Sequence, residues 1–459
     1  MKYLAQPRKF ETLIQMPRAN LFAEDIRRRC LEAENQYAND HQSAQPRGDV
    51  NQLYPYPAMM APSQLRQLFE YLDGRNSTRQ STIFDPFVGS GTSMTESMRL
   101  GHSFVGVDIN PLAILICNAK IDGFNTELAT YALSNVMERA RSDRSNRIET
   151  NMPNQSKWYT EKTSIQLSRI KRAVRFQPDE IRSVCWLAFA NTCRLTSNDR
   201  SSTYKLHSLP HGEVGRLSDQ AFNTFLAVSK TMVANLEEFV HQLQERKLLS
   251  TSHSYLGDIF LHLGDTTTAP WQRGRWADAL ITSPPYGDNK TTVPYGQASY
   301  LQLQWLVDSD VPVPDDYFGN ASKIDTLSLG GSKKRSTKKI EQLSNISPSA
   351  RDTFAKLKNH PQDRVTRVAS FWSDLSAALD SSLTALKPKA VIALTLGNRR
   401  VGGLEIPTKE FVDDLLEMHE CRQIVTLTRD IPKNRKRTPL RNNFSSTMLQ
   451  DHTTVYEAP

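Results

Sequence analysis

The chain has 459 residues, with 57 Lys and Arg against 49 Asp and Glu and a formal charge of +8 at pH 7. That length allows one large core with insertions, or two to three domains, and the positive surplus suits a polyanionic partner without demanding one. No apolar run is long enough to cross a bilayer, and Met1–Arg8 lacks the apolar stretch of a signal peptide, so a soluble, cytoplasmic protein with no membrane partner is expected. The five cysteines (Cys30, Cys117, Cys185, Cys193, Cys421) show no CxxC spacing, which argues against a disulfide framework or a zinc site.

Residues 1–50 are polar and charged and read as an N-terminal extension, with helix expected around Ala23–Tyr37. From residue 81 the pattern becomes short β-branched or apolar runs, each ending in a polar or glycine turn, as in the strands of a parallel α/β sheet. Ser81–Phe84, Ser103–Val107, Ile259–Leu263, Ala279–Thr282, Ala390–Leu396 and Gln423–Thr428 are the candidate strands, with Thr453–Tyr456 as the last. Two segments interrupt the series. Residues 125–250 read as a mainly helical insertion, strongest in the amphipathic run Asp219–Leu248. Residues 307–365 are rich in Ser, Lys, Asp and Pro, carry the run Lys333-Lys334-Arg335, and read as a basic mobile insertion.

The first strand runs into Asp85-Pro86-Phe87-Val88-Gly89-Ser90-Gly91-Thr92, ahead of a predicted helix Ser93–Leu100. Glycines there let the backbone approach a ligand, and the amides of the helix N-terminus suit a carboxylate. The second strand ends in Asp108, placed to accept from ribose hydroxyls, as in dinucleotide folds, although the GxGxxG of a nicotinamide site is absent. After Ala279–Thr282 comes Ser283-Pro284-Pro285-Tyr286. Paired prolines stiffen a loop and remove two backbone donors, leaving acceptors to face outward. In a proline-rich linker the same four residues would signify polyproline II, but here they follow an apolar strand.

Together these strings resemble the DNA amino-methyltransferases, which use S-adenosyl-L-methionine. The resemblance covers about residues 51–125, 253–306 and 388–459. It implies an α/β, Rossmann-like class I methyltransferase sheet, mostly parallel with an antiparallel last strand, plus the helical insertion. Residues 51–124 become the cofactor-binding half, 251–306 the catalytic half and 366–459 the remainder of the sheet. Implied cofactor contacts are Tyr56 and Pro57, from a segment packing over the methionine end, then Asp85, Phe87, Gly89, Gly91, Thr92 and Asp108, with Asp265 on the adenine amino group. The Ser283 hydroxyl and Pro284 carbonyl would hold the amino hydrogens of a flipped base on which Tyr286 stacks, with Pro285 stiffening the loop. Relatives with Ser at the first position of this loop are mostly cytosine-N4 enzymes, which favours N4 over adenine-N6. Carbon-5 methylation needs a cysteine nucleophile, normally after proline, and the cysteines here follow Arg29, Ile116, Val184, Thr192 and Glu420. Gly397–Gly403 resembles the family's turn beside the base pocket.

Basic residues mixed with hydroxyls and amides mark two candidate contacts with double-stranded DNA: Arg194, Asn198, Arg200, Ser201, Thr203 and Lys205 in the helical insertion, and Lys333, Lys334 and Arg335 in the second. A solvated loop is the bland alternative for each. The expected role is modification partner of a cognate restriction endonuclease or, alternatively, a solitary epigenetic enzyme. An RNA base methyltransferase and a silent DNA-binding protein are the competing readings, and a Pro178-Asp179…Glu245-Arg246-Lys247 echo of a nuclease is set aside because its second half ends an amphipathic helix.

Overall fold

The computed structural model describes residues 49–62, 65–66, 68–69, 80–200, 204–210, 213, 215, 218–268, 274–288, 292–331, 336–430 and 450–459. The extension 1–48, Ser201, Thr203 and the run Lys333–Arg335 therefore lie outside the described residues. Strands β1 (Thr82–Asp85), β2 (Ser103–Asp108), β3 (Ile259–Leu263), β4 (Ala277–Thr282), β5 (Leu386–Leu396), β8 (Arg422–Asp430) and β9 (Gln450–Glu457) form a seven-stranded sheet in the order β3-β2-β1-β4-β5-β9-β8. A separate hairpin pairs β6 (Arg399–Val401) with β7 (Leu404–Ile406). Pairings among β3, β2, β1, β4 and β5 are parallel, whereas β9 runs antiparallel to both its neighbours. The sheet is the Rossmann-like class I arrangement, with its antiparallel member contributed by the last strand.

Side chains alternate between the two faces of a strand, and both faces here are covered. Ile83, Ala279, Val391 and Ala393 enter one core, while their neighbours Phe84, Leu280, Ile392 and Leu394 enter the other. The first core is roofed by α1 (Thr92–Arg99), α2 (Pro111–Asp122), α3 (Thr126–Ser142), the single turn α4 (Gln155–Trp158), α5 (Glu161–Val174), α6 (Arg182–Leu195), α7 (Ala221–Glu245) and α8 (Tyr295–Leu306). Most of these helices come from 125–250, and α7 buries Phe225, Leu236, Val240 and Leu243 from its amphipathic stripe.

After the short α9 (Lys323–Leu327), the second face is covered by α10 (Ser336–Ile346), α11 (Pro348–Leu357), α12 (Gln362–Leu383) and α13 (Thr408–Met418). Much of 307–365 is thus structural where composition suggested a mobile insertion. Leu343, Ala350, Phe354 and Leu357 are buried there, an apolar stripe diluted in sequence by Ser and Lys. Ser347 caps α11, accepting from the Ala350 amide at 3.0 Å, with Pro348 in its first turn. No described helix is long and apolar enough to cross a membrane.

Chain direction across the sheet reverses between β1 and β4: β1 to β3 progress one way and β4 to β5 the other. Crevices at such a reversal, at the carboxyl ends of the strands, are where open α/β sheets bind ligands.

Candidate active site

The β1–α1 loop is held from three sides. The Gly89 amide donates to Asp108 Oδ2 at 2.9 Å, and the Val88 amide donates to the Val107 carbonyl at 2.8 Å, drawing the loop over the end of β2. Beneath it, buried Lys120 Nζ donates to the Ser90 carbonyl at 2.7 Å and to Asn51 Oδ1 at 2.8 Å; burial pulls this ammonium down to about 8. Gly91, at φ +77, turns the chain into α1 where an added Cβ would stand 2.7 Å from Cys117 Sγ, so only glycine fits.

Asp85 is fully buried and joins the two halves of the site. Its carboxylate accepts from the Phe87 amide at 2.9 Å, from Ser93 Oγ on α1, and from Thr282 Oγ1 at the end of β4 at 2.5 Å. Burial raises it to about 6, against those hydrogen bonds. Asp108 is likewise pushed up to about 6 by burial while accepting from the Gly89 and Asn110 amides. Each Asp108 oxygen is thus committed to one backbone amide, and a carboxylate oxygen has a further lone pair for a second donor.

These groups border a cavity of about 510 Å³ at the carboxyl ends of β1, β2 and β4. Tyr56, Pro57, Phe87, Gly89, Thr92, Asp108, Asp265, Ser283 and Pro285 all line it. Asp85, Gly91, Pro284 and Tyr286 do not; Asp85 and Gly91 shape the loop from behind. The Tyr286 hydroxyl lies 3.5 Å from Ser283 Oγ, which sets the two side by side at the cavity edge. Asp265 is exposed, its Oδ1 accepting from the Thr267 amide and hydroxyl at 2.9 and 2.8 Å.

Several contributors escaped sequence reasoning. Asn110 caps α2 and donates to Tyr56 Oη at 3.1 Å and Ser299 Oγ at 2.9 Å, holding Tyr56 against Tyr295, whose ring centroid is 5.8 Å away. The far wall comes from Ile324 and Thr326–Leu329 together with Asp374, Ala377 and Ala378 of α12, the two alanines leaving room. Asn110 follows the Asp108 turn and carries an N-cap signal; the far wall is more than 200 residues away and carries none.

The expected DNA contacts divide. Asn198 is 3% exposed, its amide donating to the Lys157 carbonyl and accepting from the Gly215 amide, so it is a strut at the base of a hairpin rather than a base reader. Arg194 is half-buried, donating to Asn191 Oδ1 with its guanidinium over the Tyr54 ring. Arg200 and Lys205 are exposed on the hairpin closed by the Asp199–Ser208 bridge. The Leu206 amide of that hairpin donates to Gln297 on α8, two residues beyond the cavity-lining Tyr295.

No family model matches the chain. The Type II methyltransferase M.MvaI of Kocuria varians is 28% identical over 400 residues, covering 84% of this chain and 85% of that protein. That similarity supports placing the chain with the DNA methyltransferases. Another relative, the Type II methyltransferase M.MjaII of Methanocaldococcus jannaschii, is 29% identical over 92 residues, 20% of this chain and 17% of its own. Two solved structures of the rRNA methyltransferase aviRa from Streptomyces viridochromogenes align over 91% and 92% of this chain and 96% of theirs, at 11% and 12% identity. Their TM-score of 0.31 is too low to bear on fold or substrate. The similarities to the Type II methyltransferases support an enzyme of methyl transfer.

Proposed function

We propose that this methyltransferase transfers a methyl group from S-adenosylmethionine to the exocyclic N4 of cytosine in duplex DNA, by base flipping and direct transfer, as the modification partner of a restriction endonuclease. The observation that carries it is a shared chamber: Ser283 and Pro285 line the same cavity as Gly89, Asp108 and Tyr56. The residues present fit the cofactor. Ser90 Oγ is buried on the cavity wall without a hydrogen-bond partner among the described residues, beside the opening turn of α1, and suits an anionic carboxylate. Asp108 offers acceptors for ribose hydroxyls, and Asp265 an acceptor for the adenine amino group.

When bound, S-adenosylmethionine supplies an electrophilic methyl on a sulfonium. The protein's part is to make the base nitrogen nucleophilic. An exocyclic amine delocalises its lone pair into the ring; Ser283 Oγ and the Pro284 carbonyl, by accepting the amino hydrogens, localise that pair on nitrogen. Tyr286 stacks on the extruded base and helps exclude water. Arg200 and Lys205, with Ser201, Thr203 and the run Lys333–Arg335, supply phosphate and groove contacts. M.MvaI, similar over most of both chains, is named a Type II methyltransferase, which supports the modification role.

The reading is tested by incubating the protein with tritiated-methyl cofactor and duplex DNA or RNA, then identifying the labelled nucleoside. N4-methylcytosine is expected. N6-methyladenine transfers the assignment to the other amino target, methylated RNA redirects the substrate, and no transfer to either polymer overturns the reading.

A further inference from the structure

The Asp288 side chain follows the Ser283–Tyr286 loop by one glycine and is 2% exposed. Arg399 Nη1, from β6 and 111 residues further on, reaches its Oδ2 at 2.7 Å, and Arg367 Nη1 from α12 reaches Oδ1 at 3.4 Å. The Arg399 stem presses on Gly287 so closely that a Cβ there would lie 2.6 Å from Cδ, and its guanidinium sits 5.9 Å from the centre of the Phe371 ring. Gly330, at φ +74 just beyond the cavity-lining Leu329, abuts the same aspartate: a Cβ would come within 3.0 Å of Asp288 Cβ. Three separate parts of the chain therefore converge on one aspartate.

Buried ion pairs add little net stability, because desolvating both partners offsets their attraction. They do fix geometry, since a planar guanidinium fork dictates distance and angle. We propose that the Asp288–Arg399 pair is a positioning device that sets the Ser283–Tyr286 loop in register with the cofactor cavity, with Arg367 as its second brace; this rests on the reading of that loop as the methyl-transfer loop. Methyl transfer tolerates little displacement of the acceptor, and a shift of about 1 Å in such a site can cost about 100-fold in rate. Neither member of the pair lines the cavity; both act through the loop.

The test compares Arg399→Lys, which keeps the charge without the fork, and the neutral pair Asp288→Asn/Arg399→Gln with wild type and Tyr286→Ala. Single-turnover transfer to duplex DNA, cofactor Kd by calorimetry and thermal unfolding are measured for each. The expected result is a fall of about 100-fold in the single-turnover rate for both pair variants, with cofactor Kd within about threefold and unfolding still cooperative. If the neutral pair fails to fold, Arg399→Lys decides. Rates within about threefold of wild type while Tyr286→Ala is inactive overturn the positioning role alone. A rise in cofactor Kd that matches the rate loss also overturns it, placing the pair in support of the cavity instead. Full activity of Tyr286→Ala removes the loop reading, and the proposal with it.

Discussion

Replacing Asp108 by Asn changes one atom and removes one acceptor, which makes its effect calculable. The carboxylate accepts from the Gly89 amide at 2.9 Å and the Asn110 amide at 2.8 Å, and the proposed cofactor adds ribose hydroxyls to the same two oxygens. An asparagine keeps one oxygen; its amino group must face either a backbone N–H or a hydroxyl, donor against donor. A hydrogen bond to a charged group contributes about 1.5–3 kcal/mol, so losing one on the ligand raises Kd by roughly 10- to 100-fold. Calorimetric titration of S-adenosylmethionine at pH 7.5 measures it.

The same residue predicts a pH profile. Burial raises Asp108 to about 6, and hydroxyl donors favour its charged form, so cofactor affinity falls as pH drops through about 6 in wild type and this dependence flattens in Asp108→Asn. Stability runs the other way. A carboxyl whose pKa is higher folded than unfolded costs stability when ionised, so this group's contribution improves as pH falls from above 6 toward the ordinary carboxylate range. Asp85 titrates similarly but lies behind the cavity wall, and the variant separates the two. An Asp108→Asn protein that binds cofactor within twofold of wild type, with an unchanged pH slope, would refute the ribose assignment.

Gly91→Ala combines a left-handed φ, which costs a non-glycine residue about 1–2 kcal/mol, with overpacking against Cys117 worth about 1–3 kcal/mol, so urea denaturation should show a loss of about 2–5 kcal/mol. Gly274→Ala, at φ +90 with nothing among the described residues within 4 Å, should lose only the first part, and equal losses at both sites would contradict the packing argument. Arg200→Ala should weaken DNA binding uniformly across sequences and reduce the slope of log K against log salt by about 0.9, read by fluorescence anisotropy at several salt concentrations; an unchanged slope removes the hairpin from the phosphate contacts.

How much of this was legible follows from where the information lies. Short apolar runs ending in turns revealed every sheet strand, while their ends were read short wherever polar residues continue the ladder, as at Arg422 and Asp430 of β8. The hairpin β6–β7 was read only as a turn resembling the one beside the base pocket because its strands are three residues each; Gly402 and Gly403, at φ +62 and +86, were the available hairpin signal. Asn198 was misread because an amide bound to two backbone groups looks, in sequence, like an amide free to reach a base. The Asp288–Arg399 pair needed coordinates: charge complementarity across 111 residues has no local signature.

The position of β9 bears on how this protein is made. It lies between β5 and β8, and β8 has no other neighbour in the sheet among the described residues. As the chain leaves the ribosome, the strands from β1 to β5 can associate in turn, but β8 must wait unpaired until residues 450–457 emerge. During that interval Val425 and Leu427 remain exposed on an open edge. A pause with β8 already outside the ribosome and residues 450–457 still inside it would hold that edge open, with the residues of the glycine loop and of Ser283–Tyr286 already made.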